Sequence, residues 1–124
     1  MTVEHPTPNI ARHVLADFFD CPQPISAGEL ARRLSAAAEA AGATILGGGE
    51  HDFAENAGAT AFIMLAESHI SAHTWPEHGL VAIDIFICGE ANADAALDAL
   101  RDSFQPARES VAVRMRGAGE GGST

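Results

Sequence analysis

The residues best suited to chemistry crowd into positions 67–79, whose sequence is ESHISAHTWPEHG. Its histidines are His69, His73 and His78. These residue types are compatible with a metal site on the histidines, with hydrolysis by Ser68 or Cys88 assisted by a histidine base, and with a polar turn that has no chemical role. Pro76 disfavours the helix that a metal site would need, and no Gly-x-Ser-x-Gly elbow surrounds Ser68. The residue types by themselves leave all three interpretations open.

Two apolar segments flank these residues and predict the strands that must hold them. Residues 59–66 are apolar and of strand length, and residues 80–88 alternate with a period of two. One face of the second segment consists of Val81, Ile83, Ile85 and Ile87. Asp84 and Cys88 belong to the opposite face, together with Phe86, so their side chains are predicted to point the same way.

Two helices are predicted from their caps and apolar spacing. Ser26 lies three residues before Glu29, which is the spacing of a capping box, and the helix that follows ends at Gly42. Asn92 caps a second helix, whose apolar stripe ends at the Gln-Pro of positions 105–106.

The remaining strands are predicted from weaker patterns. Residues 10–19 and 111–116 alternate between apolar and other residues. Residues 43–46 are apolar but few, and they run into three glycines at 47–49, which predict a loop or bulge before the extended chain resumes at 51–53.

These elements follow in the order β-α-β-β-β-α-β, which predicts an α+β two-layer sandwich with both helices on one face of a mainly antiparallel sheet. A length of 124 residues fits one domain, residues 1–116, followed by a glycine-rich flexible tail at 117–124. The other face of the sheet would expose Phe86, so we expect a homodimer that forms through the sheet side.

Charge and apolar runs narrow the classes of partner. Asp and Glu number 17 against seven basic residues, all arginine, for a net charge of -10. An acidic surface disfavours nucleic acid; it can attract small cationic substrates, or it can serve solubility alone. No apolar run reaches the ~18 residues of a membrane span, and Asp17 interrupts the apolar segment that a signal peptide would need. We therefore expect a cytoplasmic protein that contacts neither nucleic acid nor membranes, with free thiols at Cys21 and Cys88.

The segment at 67–79 also resembles that of a known family. ESHISAHTWPEHG, together with the AIDIFICG that ends the second strand, closely resembles the prokaryotic S-adenosylmethionine decarboxylase proenzymes. Residues 12–21 are similar to that family's opening strand, and residues 26–44 are similar to its first helix and the turn after it. The likeness therefore covers most of the chain.

This resemblance implies a self-cleaving proenzyme. In the family a serine, here Ser68, attacks the preceding carbonyl, here that of Glu67. The chain then breaks into residues 1–67 and 68–124, and a covalent pyruvoyl group replaces the serine. The pyruvoyl carbonyl forms a Schiff base with the substrate amine and accepts electrons as carbon dioxide leaves, so that no metal is needed.

The resemblance also implies roles for three further residues. His73 matches the family's processing histidine, the proton acceptor in self-cleavage. Thr60 stands where the family usually has a serine that supports processing. Cys88 matches the family's proton donor in decarboxylation.

The implied substrate is S-adenosylmethionine, decarboxylated for polyamine synthesis as the aminopropyl donor for spermidine. The family stacks the adenine between aromatic rings and holds the ribose with a carboxylate, which assigns Phe53 and Trp75 to the rings and Glu77 to the sugar. His78 and Leu80 replace aromatic residues common in the family, so L-ornithine or L-arginine is an alternative substrate with the same cofactor. An uncleaved, non-catalytic binding homologue is a lesser alternative.

Overall fold

Six strands form one sheet in the computed structural model, which describes residues 10–117. The elements are β1 (Ala11–Phe19), α1 (Ala27–Ala40), β2 (Ile45–Asp52), β3 (Ala59–Leu65), β4 (Ser68–Trp75), β5 (Leu80–Cys88), α2 (Ala93–Phe104) and β6 (Arg108–Arg116), with one short 3-10 turn at Pro76–His78. The strand order is β2-β3-β4-β5-β1-β6, and all neighbouring strands are antiparallel. The predicted α+β class is confirmed.

Both helices pack on one face of the sheet, here called the inner face. The largest fully buried side chains are Val14, Phe18, Ile70, Val81 and Ile85 from the strands and Leu30, Leu34, Leu100 and Phe104 from the helices. Both predicted caps are confirmed: Ser26 Oγ accepts the Glu29 N–H at 3.1 Å, and Asn92 Oδ1 accepts the Ala95 N–H at 3.0 Å. The helices therefore begin where the sequence predicts, and their apolar stripes form the core with the sheet.

Strand β4 was not predicted, and it corrects the element order to β-α-β-β-β-β-α-β. Its inward side chains are Ile70, Ala72 and Thr74, all buried, and only the isoleucine is strongly apolar. Thr74 is tolerated in the core because its hydroxyl accepts the Ala59 N–H at 2.9 Å. Because Ala72 and Thr74 on the buried side are small or polar, the alternation of this strand is weak, and the segment resembles a polar turn in the sequence.

The three glycines at 47–49 do not form a loop, because they lie within strand β2, but the alternative expectation of a bulge agrees with the register irregularity beside them. Gly48 and Gly49 pair with Ile63 and Phe62 of β3, after a register irregularity between Ile45 and Gly47. A Cβ atom at Gly49 would lie 2.8 Å from the Phe62 ring. The glycines therefore let this ring lie directly on the β2 backbone, which explains a glycine run in a strand.

The outer face of the sheet has no helix against it. Leu15, Phe62 and Met64 point out from this face and are about half exposed, at 45%, 45% and 47%. A shallow cavity of about 340 Å³ opens on this face, lined by Leu15 and other small or apolar residues together with polar ones that include His73 and Asp84. The chain thus leaves apolar and ionisable side chains side by side on one broad surface.

The predicted tail lies almost entirely outside the described residues, so the division into a domain at 1–116 and a tail at 117–124 stays a prediction. Within residues 10–117, no helix is long and apolar enough to cross a membrane.

Candidate active site

The hairpin between β3 and β4 holds the carbonyl group that precedes Ser68. The carbonyl oxygen of Glu67 accepts two hydrogen bonds from Cys88 at the end of β5, one from the backbone N–H at 3.0 Å and one from the thiol at 3.2 Å. Two donors aimed at one carbonyl oxygen would stabilise negative charge on it if a nucleophile added to the carbon. The nearest hydroxyl along the chain belongs to Ser68.

The same hairpin is fixed from its other side by Thr44. The Thr44 N–H donates to Glu67 Oε1 at 2.9 Å, and the Thr44 carbonyl accepts the Ala66 N–H at 2.9 Å. Ser68 has a backbone φ of 137°, a value that residues other than glycine rarely adopt. Such backbone strain costs of order 1–3 kcal/mol, and it lies beside the peptide bond between Glu67 and Ser68. The three residues Glu67, Ser68 and Cys88 are called the serine cluster below.

The two cysteines differ sharply in environment. Cys21 is buried in the core, and this burial raises the pKa of its thiol to about 11. Cys88 is half-buried and its thiol is already directed at the Glu67 carbonyl. Cys21 is therefore an inert core residue, whereas Cys88 lies where a proton could be delivered to the residue at position 68.

A second group of candidate residues lies further along β4. Thr60 and His73 face each other across β3 and β4, and a hydrogen bond of 2.7 Å joins Thr60 Oγ1 to His73 Nδ1. The Trp75 ring lies 6.1 Å from the His73 ring and is tilted by 48°. These three residues, here called the histidine cluster, bring the predicted processing histidine and its supporting hydroxyl together.

The two clusters are far apart within one chain. His73 follows Ser68 by five residues along an extended strand, a separation of about 16 Å at 3.3 Å per residue, and Trp75 lies about 23 Å away by the same measure. An imidazole side chain cannot bridge that distance. The structure therefore gathers the predicted site residues into two groups at different places on the same strand.

The residues predicted to bind adenine and ribose lie at the end of the sheet that contains Trp75. The Phe53 N–H donates to the carbonyl of Gly58 at 3.0 Å, and Gly58 approaches the backbone of Thr74 at a positive φ of 101°. The Phe53 ring is 51% exposed and contacts His51, with ring centroids 4.8 Å apart.

Glu77 is exposed in the 3-10 turn that follows Trp75. No ring contact joins Phe53 to Trp75 in the described part of the chain. The two rings and the carboxylate therefore share one end of the molecule without forming a closed ring sandwich.

The interpretation of these histidines as a metal site finds no support in the described residues, which contain no group of three or more His, Cys, Asp or Glu side chains placed to hold an ion. His69 instead reaches Asp84 and stacks on Phe86, and Asp84 is bound by His13. The sequence did not predict this network. Its members come from three strands, and the only local signal is that each faces the outer side.

Comparison with known proteins agrees with this architecture. The family model for S-adenosylmethionine decarboxylase matches residues 12–117. S-adenosylmethionine decarboxylase proenzymes from Methanococcus aeolicus and Pyrobaculum neutrophilum are 36% and 37% identical over 113 and 100 residues, covering 89% and 78% of this chain and 96% and 81% of the relatives. A crystal structure of the adenosylmethionine decarboxylase from Aquifex aeolicus superimposes with a TM-score of 0.83 at 33% identity, covering 94% of this chain and 98% of that chain.

Fold and hairpin together define the class as the pyruvoyl-dependent carboxy-lyases that are made as proenzymes. The chain belongs to the S-adenosylmethionine decarboxylase family. The resemblance noted in the sequence is confirmed. In this family the cofactor is a pyruvoyl group that a serine of the proenzyme supplies by self-cleavage.

Proposed function

We propose that this chain cleaves itself between Glu67 and Ser68 and that the product decarboxylates S-adenosylmethionine for polyamine synthesis in the cytoplasm. The observation that carries the proposal is the Glu67 carbonyl, which accepts two hydrogen bonds from Cys88 immediately before a strained serine. These residues fit the family's pyruvoyl cofactor. Ser68 would supply its carbon atoms, Glu67 offers a polarised carbonyl for the serine to attack, and the thiol of Cys88 lies beside that carbonyl.

Cleavage proceeds through bonds of these residues alone, with water as the only co-reactant. Ser68 Oγ adds to the Glu67 carbonyl carbon, and collapse of the adduct breaks the peptide C–N bond and leaves an ester on Oγ. Loss of the Ser68 α-proton then breaks the Cβ–Oγ bond, which frees Glu67 as a carboxylate. The dehydroalanine that remains at position 68 tautomerises to an imine, and water adds at its Cα and displaces ammonia, which leaves the three-carbon pyruvoyl group. The chain thus divides into residues 1–67 and 68–124.

The base that removes the α-proton is His73 of a second copy. Within one chain the histidine cluster is about 16 Å from Ser68, so it cannot act there. The outer face that carries His73 also exposes Leu15, Phe62 and Met64, which a second copy would cover. Two copies packed face to face around a twofold axis can place the histidine cluster of each beside the serine cluster of the other. We therefore propose a homodimer with two shared sites.

After cleavage, a pyruvoyl group at position 68 would supply a carbonyl that can bind the substrate amine and accept electrons during decarboxylation. Cys88 returns a proton to the α-carbon, since its thiol lies beside the Glu67 carbonyl and hence beside residue 68. The Cys88 N–H stays available to hold the new carboxylate of Glu67.

Two variants of Cys88 change its thiol and keep its backbone N–H, so they separate the role of the thiol from that of the N–H. We expect Cys88→Ala to cleave, because the backbone donor to Glu67 remains, but to lose about 100-fold or more in turnover because the proton donor is gone. Cys88→Ser keeps an O–H and should cleave at nearly the normal rate. Cleavage is read from intact mass and turnover from release of carbon dioxide. Unchanged turnover in Cys88→Ala would remove the thiol from the reaction.

The exposed rings explain how an adenosyl group would be recognised. Phe53 and Trp75 are 51% and 39% exposed, and Glu77 lies beside Trp75. A purine can stack on such rings, its ribose can hydrogen-bond the carboxylate, and the sulfonium is attracted to aromatic faces and to the acidic protein.

A variant of Trp75 tests this recognition directly. Trp75→Ala should raise KM for S-adenosylmethionine about tenfold, which corresponds to one stacking contact, and should leave the extent of cleavage unchanged. Phe19→Ala, an aromatic truncation in β1, is the control for loss of an aromatic side chain elsewhere. An unchanged KM for S-adenosylmethionine in Trp75→Ala would contradict stacking on this ring.

The function as a whole is tested by intact mass after incubation with cyanoborohydride and S-adenosylmethionine, L-ornithine or L-arginine. We expect two fragments that part between Glu67 and Ser68 and a covalent adduct with S-adenosylmethionine on the fragment 68–124. An adduct with L-ornithine or L-arginine instead would support the pyruvoyl cofactor and identify that amino acid as the substrate. One mass at 12.9 kDa without adduct would identify a non-catalytic binding homologue.

A further inference from the structure

A side-chain network on the outer face surrounds the residue that follows Ser68. His69 is the first residue of β4 after the proposed cleavage point, and it pairs with Phe86 of β5. Its imidazole stacks on the Phe86 ring, with centroids 5.7 Å apart and planes inclined by 22°. Its Nε2 lies 3.6 Å from Asp84 Oδ1. The side chain of His69 is thus held on its flat face and at its tip.

The carboxylate that His69 reaches is contacted by His13 of a second strand, and His13 is in turn contacted by Arg116 of a third. His13 Nε2 lies 2.7 Å from the same Asp84 oxygen, and the Arg116 guanidinium donates to His13 Nδ1 at 3.1 Å. Because Nδ1 accepts from the arginine, neutral His13 carries its proton on Nε2 and donates it to Asp84. Arg116 also lies over the Phe86 ring at 5.5 Å from its centroid. Four strands therefore contribute to one connected set of contacts.

After cleavage this network can hold a new chain end, which the intact chain does not have. Before cleavage, position 68 is tethered on both sides, by Glu67 and by His69. After cleavage the bond to Glu67 is gone, and the pyruvoyl group is joined to the protein only through the His69 nitrogen. A chain end at a strand terminus frays unless something holds it. The residue bonded directly to position 68 is His69, and its side chain contacts Phe86 and Asp84 of the neighbouring strand.

We propose that His69 is a positioning residue, which keeps the pyruvoyl end of β4 in place after cleavage by packing on Phe86 and contacting the Asp84 carboxylate that His13 and Arg116 brace. His69 does not touch the reacting atoms. Its effect is on the location of the reactive carbonyl, to which rate is sensitive because a misplacement of about 1 Å can cost 100-fold. This inference rests on the proposed cleavage at Ser68.

The test compares three variants with the wild-type protein. We expect His69→Ala to cleave at Ser68, to lose about tenfold in kcat and to keep KM within about twofold, because substrate contacts are retained while the carbonyl is displaced. His69→Phe, which keeps a flat ring on Phe86, should recover part of kcat. Asp84→Asn should lower kcat in the same direction, because its amide oxygen can still accept from His13 while the carboxylate beside His69 Nε2 is lost.

Amide hydrogen exchange on the cleaved proteins supplies a readout besides activity. His69→Ala should exchange faster at the start of β4, with the rest of the sheet unchanged. Leu97→Ala, a core truncation in α2, is the control for general destabilisation: it should lower Tm and leave both kcat and β4 exchange unchanged.

The outcomes are distinct. Wild-type kcat and wild-type β4 exchange in His69→Ala would overturn the positioning role. Should His69→Ala fail to fold, unchanged kcat in both His69→Phe and Asp84→Asn would overturn it equally. An uncleaved wild-type chain would overturn both this inference and the proposed function, whereas cleaved and active wild-type protein with fully active variants would overturn this inference alone.

Discussion

Ser68→Ala is expected to give a single chain of full length with no decarboxylase activity, the largest effect that any single substitution should have here. Alanine has no oxygen to attack the Glu67 carbonyl, so the peptide bond stays intact although Cys88 still donates to that carbonyl. No pyruvoyl group can then form. Intact mass and carbon dioxide release measure the two losses.

The control for Ser68→Ala is Ser35→Ala, the same chemical change in helix α1 on the other side of the sheet. It should cleave and turn over like the wild type. A Ser68→Ala protein that still yields fragments 1–67 and 68–124 would exclude the serine as nucleophile. Fragments from a break elsewhere would indicate proteolysis and would leave the expected result, an intact bond after Glu67, unchanged.

The second large effect is restoration of cleavage by mixing two inactive chains. A His73→Ala chain keeps Ser68 but lacks the proposed processing base, and a Ser68→Ala chain keeps His73 but lacks the nucleophile. In a mixed dimer of the proposed face-to-face kind, the base of the second chain would face the serine of the first. Coexpression should therefore produce cleavage of the His73→Ala chain, which alone stays whole, because β4 keeps the two residues of one chain about 16 Å apart.

A short tag on one chain distinguishes the products by mass. Coexpression with a chain that carries both substitutions is the control, since it offers neither serine nor base and should restore nothing. Mixed dimers that form but remain whole would place the base in the same chain as the serine. The proposed face-to-face dimer would then be wrong, even if the cofactor were correct.

Several features of the fold were predictable because they depend on neighbours along the chain. The structure confirms the Ser26 and Asn92 caps, which depend on residues within one helical turn. It also confirms the alternation of β5 and the apolar stripes of both helices, which repeat with a local period. Strand β4 was missed because its alternation is weak, with Ala72 and Thr74 on the buried side. The glycines of β2 predict a loop or bulge and not a continuous strand, because the ring that they accommodate, Phe62, belongs to another strand.

The sequence by itself determined the family, the α+β class, the candidate serine, histidine and cysteine, and the shared direction of Asp84 and Cys88. Only the tertiary structure decided which of these residues meet. It brought Cys88 to the carbonyl of Glu67, joined Thr60 to His73 and separated that pair from Ser68. The reason is physical: side-chain direction along a strand follows from a period of two, whereas contacts between strands follow from sheet order and register, which distant segments set together.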